Sequence, residues 1–266
     1  MITRPFDFDG HLGLRLAGRL EMPTEAALGW AVLAHCFTCG KDHLAAARVA
    51  QALARRGIGT LRFDFSGLGK SGGEFAKSTF AGDTSDLVAA CQAMADEGMA
   101  PSLLVGHSLG GAAALAAAGR MPTIRAVATI GAPFDVAHVL HQFDPSVLAR
   151  IEADGETEVL LAGRPFRVGK SFVDDAQHQA LGPRIGALRR PLLVLHGPQD
   201  ATVGIENANL IFAAAKHPKS FISLEDADHL LSRKEDAEFA AAMIATWAER
   251  HFPTPGAQPP SPSPTL

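Results

Sequence analysis

The sequence predicts an α/β fold, a mostly parallel sheet of eight strands flanked by helices. Three observations carry that prediction. Short apolar runs of four to seven residues alternate with Ala-rich stretches of helical periodicity from residue 30 to residue 250. Runs of that length are strands buried on both faces, and the helices between them are the crossovers that parallel strands require. The small-residue sequence Gly106-His107-Ser108-Leu109-Gly110 falls where one such run passes into a helical stretch. Finally, 47% hydrophobic and 20% charged residues are the proportions of a globular chain that can bury such a sheet.

The elements follow in order. Ile2–Phe8 and Leu12–Met22 flank the turn pair Asp9-Gly10 and read as a hairpin. The strand runs are Trp30–Ala34, Ile58–Phe63, Ser102–Val105, Ile124–Ile130, Pro191–Leu195 and Ser220–Leu224. Helical periodicity covers 44–56, 80–97, 109–120, 204–216 and 234–250. Right-handed crossovers then place the C-terminal strand ends along one edge, where open α/β sheets bind ligands. Residues 132–186 break the rhythm. They hold helix-like pieces and a hairpin, Glu158–Leu161 and Pro165–Val168 turning at Ala162-Gly163, and read as a small cap between two sheet strands. Residues 253–266 are Pro/Ser/Gly-rich and read as a disordered tail, leaving one domain over 1–252.

Charge and cysteine usage narrow the function classes. A net charge of −4 and a pI near 6.2 give no electrostatic basis for binding nucleic acid or an anionic membrane. The N-terminus lacks the pattern of a signal peptide, and no apolar run is long enough to span a bilayer. Three cysteines, Cys36, Cys39 and Cys91, make an odd set and no disulfide framework, which favours a reducing, cytoplasmic setting. The sequence carries no signal for an oligomeric state.

G-x-S-x-G at 106–110 matters through its context. A nucleophile on a sharp strand-to-helix turn needs small neighbours, and Gly106 and Gly110 supply them. Ser108 is then lifted above the sheet edge, and the Leu109 N–H, at the helix start, points at an oxyanion. Activating a serine requires a base oriented by a third group. Asp200, in the loop after Pro191–Leu195, and His229, in the loop after Ser220–Leu224, both fall on the same edge in the order serine, acid, base. Asp226 and Asp228 are rival acids, but a residue one position from His229 is poorly placed to orient its ring. His196 is the rival base.

The second oxyanion donor belongs to the loop His35-Cys36-Phe37-Thr38-Cys39-Gly40, where the Phe37 N–H is the candidate and His35 braces the loop. The glycine-rich stretch Phe63 to Ser71 lacks the spacing of a phosphate-binding loop and reads as a structural turn beside the site. Together, Asp64 to Ser71 (D-x-x-G-x-G-x-S), Gly106 to Gly110, Asp200 and His229 resemble the α/β-hydrolase superfamily over about residues 12–250. More narrowly, His35 to Asp42, Arg62 to Gly69, His217 to Ser220 and Asp228 to Leu231 resemble bacterial hydrolases often fused to an OsmC-type domain, here without that domain. Cys36 stands where a glycine often sits. The resemblance implies the α/β-hydrolase fold and a serine esterase acting on a small-molecule ester, with thioesters or amides as alternative substrates. Acyl transfer by such a triad needs no metal and no organic cofactor.

Cys36-x-x-Cys39 supports a rival reading as a thiol-redox protein. We read the pair chiefly as loop structure; a metal site completed by His35 and His43 lacks the surroundings of a zinc ribbon. Phe134, Val139, Leu140, Phe143 and Phe172 of the cap suggest a small or medium apolar acyl group.

Overall fold

A computed structural model describes residues 1–161 and 163–252; the expected tail and Ala162 of the expected turn lie outside the described residues. The chain opens with β1 (Ile2–Pro5), β2 (Phe8–Asp9), β3 (Arg15–Leu16) and β4 (Gly18–Met22). β1 pairs with β4 and β2 with β3, so the expected hairpin is present. Its loop is longer than the two-residue turn at Asp9-Gly10, because the Gly10 N–H reaches the Leu14 carbonyl at 2.8 Å.

The sheet continues through β5 (Gly29–Ala34), β6 (Ile58–Phe63), β7 (Leu103–His107) and β8 (Ala126–Ile130). Beyond the insertion described below come β11 (Leu192–His196) and β12 (Lys219–Ser223). The eight strands lie in the order β1-β4-β6-β5-β7-β8-β11-β12. Only β4 runs against the others. All five residues of the central β7 are buried, which is why the sequence shows an unbroken apolar run rather than alternation.

Successive residues of the strands feed opposite faces. Leu33, Leu103 and Val105 pack against α1 (Leu44–Arg55) and α8 (Lys234–Ala248). Val32, Leu104 and Val127 pack on the other side with α2 (Phe80–Asp96) and α3 (Leu109–Ala117), and α7 (Glu206–Ala214) joins them there. α2 begins where the Thr79 hydroxyl accepts the Gly82 N–H at 2.9 Å.

Between β8 and β11 the chain forms α4 (Pro145–Asp154), the hairpin β9 (Glu156–Leu161) with β10 (Arg164–Gly169), α5 (Lys170–Gln177) and α6 (Leu181–Ala187). Asp144 caps α4 ahead of Pro145, and Gly155 stops it at φ 85°. An aromatic cluster fastens this insertion to the loop after β5. Phe37 stacks on Phe172 at 5.0 Å and contacts Phe75 at 5.8 Å, and Phe75 meets Phe166 at 5.2 Å. The insertion thereby sits over the C-terminal edge of the sheet.

Candidate active site

Ser108 stands between β7 and α3 with φ 55° and ψ −126°, a conformation that L-residues rarely adopt. The crowding explains the flanking glycines. A Cβ at Gly106 would come below 3.0 Å of the backbone at Gly110 and Gly111, and one at Gly110 would collide with the carbonyl oxygens of Ala34 and His35. These close approaches seat the first turn of α3 directly on the end of β5. The Leu109 N–H, in that first turn, has no acceptor inside the helix. Leu109 and Phe37 line one small cavity of about 10 Å³, and Phe37 and Ser108 line a larger one of about 780 Å³.

The loops after β11 and β12 bring Asp200 and His229 to Ser108. His229 Nε2 lies 2.9 Å from Ser108 Oγ, and Nδ1 lies 2.7 Å from Asp200 Oδ2. The other oxygen of Asp200 accepts the N–H groups of Thr202 and Val203, each at 2.9 Å. Burial works against ionisation of Asp200. The bonds from His229, Val203 and Thr202 outweigh it and hold the carboxyl below the usual range. An ionised Asp200 only accepts, so Nδ1 carries the imidazole proton and Nε2 is left to accept from the serine hydroxyl.

The rivals make other hydrogen bonds, although His196 Nε2 also lies 3.6 Å from Asp200 Oδ2. His196 is buried and its Nε2 donates to the Val203 carbonyl at 2.8 Å, bracing the Asp200 loop. Asp226 and Asp228 are exposed, and Asp228 accepts the Ser232 N–H at 2.8 Å. In the loop after β5, His35 is buried, contacts the Cys36 carbonyl through Nδ1 at 2.8 Å, and sets its ring edge-on against Phe65.

Three features of the site were not legible in the sequence. His107 Nε2 donates to the His229 carbonyl at 2.6 Å. Burial, then the neighbouring His229, push its pKa down to about 3, so the ring is neutral. The only sequence cue was a polar side chain at the end of an apolar run. Lys41 is the second feature. It is buried with Nζ 2.9 Å from Asp64, whose carboxylate also accepts the N–H groups of Lys41 at 2.6 Å and Lys70 at 3.0 Å. The turn from Asp64 to Ser71 is thereby tied to the loop carrying Phe37. Third, Arg164 of β10 donates to the Thr38 carbonyl, linking the insertion to that loop.

Two expectations are corrected. Cys36 and Cys39 are joined in a disulfide, although the odd cysteine count spoke against one. The turn between them brings their Cα atoms to 5.3 Å, inside the range a disulfide spans. The apolar residues expected to shape the cavity, Phe134, Val139, Leu140, Phe143 and Phe172, also do not line it. Val139, Leu140, Phe143 and Phe172 are buried in the core, and the 780 Å³ cavity meets the insertion through Gln142, Arg164 and Phe166.

A sequence profile described as the alpha/beta hydrolase family matches residues 31–242. The chain belongs to that family. This hydrolase is 44% identical to the esterase domain of a Rhodothermus marinus protein, with a TM-score of 0.77, covering 94% of this chain and 99% of that one. It is 26% identical to a monoacylglycerol lipase of Mycolicibacterium smegmatis, over 77% of this chain and 81% of that one. It is 28% identical to the mouse mitochondrial palmitoyl-protein thioesterase ABHD10, over 69% of this chain, and spans 63% of that relative's length. No helix among the described residues of the hydrolase is long and apolar enough to cross a membrane.

Proposed function

We propose that this chain is a serine hydrolase that cleaves small-molecule carboxylic esters through an acyl-enzyme. The observation that carries the proposal is the unbroken chain Ser108 Oγ, His229 Nε2, His229 Nδ1, Asp200 Oδ2, at 2.9 and 2.7 Å. Ser108 attacks the acyl carbon as its proton passes to His229 Nε2. Asp200 stabilises the imidazolium that forms. The oxyanion is held by the N–H groups of Phe37 and Leu109; one such donor is worth about 10²–10³ in rate. His229 then protonates the leaving alcohol, and a water deprotonated by His229 releases the acid. The named relatives, an esterase domain, a lipase and a thioesterase, support acyl transfer to water as the reaction class. A thioester is the second reading, favoured by the mouse relative, because the same atoms perform both reactions.

The test is labelling by a fluorophosphonate followed by peptide mapping. The expected result is one adduct, on Ser108, absent from Ser108→Ala together with hydrolysis of p-nitrophenyl esters. Ester hydrolysis that survives in a folded Ser108→Ala protein overturns the proposal. If replacing both Cys36 and Cys39 abolishes activity while Ser108→Ala does not, the thiol-redox reading replaces it.

A further inference from the structure

We propose that Cys36, Cys39 and His43, once the disulfide is opened, form a three-donor site for a thiophilic divalent metal ion such as Zn²⁺, at the rim of the 780 Å³ cavity. The inference is independent of the hydrolase reading, and it runs against the sequence expectation of no metal. One donor atom from each of the three residues lies within 4.8 Å of the other two. Two thiolates and an imidazole are the donor set that selects zinc-like ions over calcium or magnesium.

The backbone delivers these side chains together. The Cys39 N–H bonds the Cys36 carbonyl and the His43 N–H bonds the Gly40 carbonyl, giving two successive turns that end where α1 begins. His43 occupies the cap position of α1 without making a capping bond, and its Nδ1 is buried with no hydrogen-bond partner among the described residues. A buried polar atom without a partner needs an explanation, and a bound ion is one that fits beside two cysteines. The neighbouring Lys41 ammonium does not repel an ion unopposed, because Asp64 and Asp42 pair with it at 2.9 and 3.0 Å. All three residues line the cavity together with Ser108 and His229, which leaves room beside them for a fourth ligand such as water.

The chemistry balances with a phosphine as reductant. The disulfide gains two electrons and two protons, and the phosphine with water becomes the phosphine oxide. The ion then displaces both thiol protons, so two thiolates offset its charge. Zn–S bonds of about 2.3 Å hold two sulfurs roughly 3.8 Å apart in a tetrahedral site, so disulfide and metal exclude each other. Phe37 and Thr38 separate the two cysteines in the chain.

The test titrates Zn²⁺ and Cd²⁺ anaerobically into protein reduced with a phosphine and freed of it, with calorimetry, proton release and the cadmium–thiolate ultraviolet band as readouts. One ion per chain is expected, with two protons released and the band present, and no uptake by the oxidised protein. His43→Gln is expected to weaken binding at least tenfold. Cys36→Ser with Cys39→Ser is expected to abolish it, with buried Cys91 left in place. The proposal is overturned by a reduced wild type that takes up no ion, by equal uptake in oxidised protein, or by unchanged affinity in His43→Gln. The oxidised and reduced wild-type proteins carry the comparison if the double variant does not fold.

Discussion

Asp200→Asn isolates the role of one carboxylate oxygen. In the native site Oδ1 is fixed as an acceptor by the N–H groups of Thr202 and Val203, both at 2.9 Å. In the variant those donors hold the amide oxygen in the same place, so the amide NH₂ turns toward His229 Nδ1, 2.7 Å from the atom it replaces. An NH₂ donates, so Nδ1 must accept and the imidazole proton moves to Nε2. Nε2 then confronts Ser108 Oγ as a donor and is unable to take its proton. A wrong tautomer of this kind lowers kcat by about 10⁴, or roughly 5.4 kcal/mol at 1.36 kcal/mol per factor of ten. Stability changes far less, because the number of hydrogen bonds is kept; the loss is about 1–2 kcal/mol for a weakened charge-assisted bond. The assay is kcat for p-nitrophenyl acetate together with urea unfolding. A kcat within tenfold of wild type refutes the tautomer argument and returns Asp228 or another carboxylate to contention. A large fall in both kcat and stability refutes the claim that Thr202 and Val203 hold the amide in place.

Three further outcomes are expected. Ser108→Gly should abolish hydrolysis and melt at a higher temperature than Ser108→Ala, since strain of about 1–3 kcal/mol at φ 55° exceeds the 0.5–1 kcal/mol entropic cost of glycine relative to alanine; a lower melting temperature than Ser108→Ala contradicts this. Lys41→Met leaves Asp64 buried without its ammonium, a change of about 3–5 kcal/mol, reading as a lower urea midpoint, and an unchanged midpoint contradicts the coupling. His107 has a folded pKa of about 3, below its unfolded value. Between those pH values the unfolded state binds the extra proton, so stability falls as pH falls, by up to about 1.4 kcal/mol per pH unit from this group. His107→Gln should therefore flatten the loss of melting temperature between pH 6.5 and pH 4 while raising KM or lowering kcat through a less firmly held His229 loop. Parallel melting curves for the two proteins disprove it.

The reach of the sequence ended where partners had to be chosen across the chain. Six apolar runs, from Trp30–Ala34 to Ser220–Leu224, and the five helical stretches were readable because their signal is local: burial on both faces for strands, a 3.6-residue period for helices. G-x-S-x-G was readable for the same reason, since crowding at Ser108 constrains residues only two positions away. The order Asp200 then His229 was readable because both follow strands whose ends share one edge. What tertiary structure alone decided is which groups touch. The His107 ring meets the His229 carbonyl across 122 residues of sequence, and Lys41 meets Asp64 across 23. Neither pairing leaves a local pattern, because each is set by how the strand-end loops converge. The joining of Cys36 to Cys39 was likewise decided by a backbone turn and not by a cysteine count. Val139, Leu140, Phe143 and Phe172 of the insertion went into packing because they join the same buried cluster as Val32, Leu104 and Val127 of the sheet.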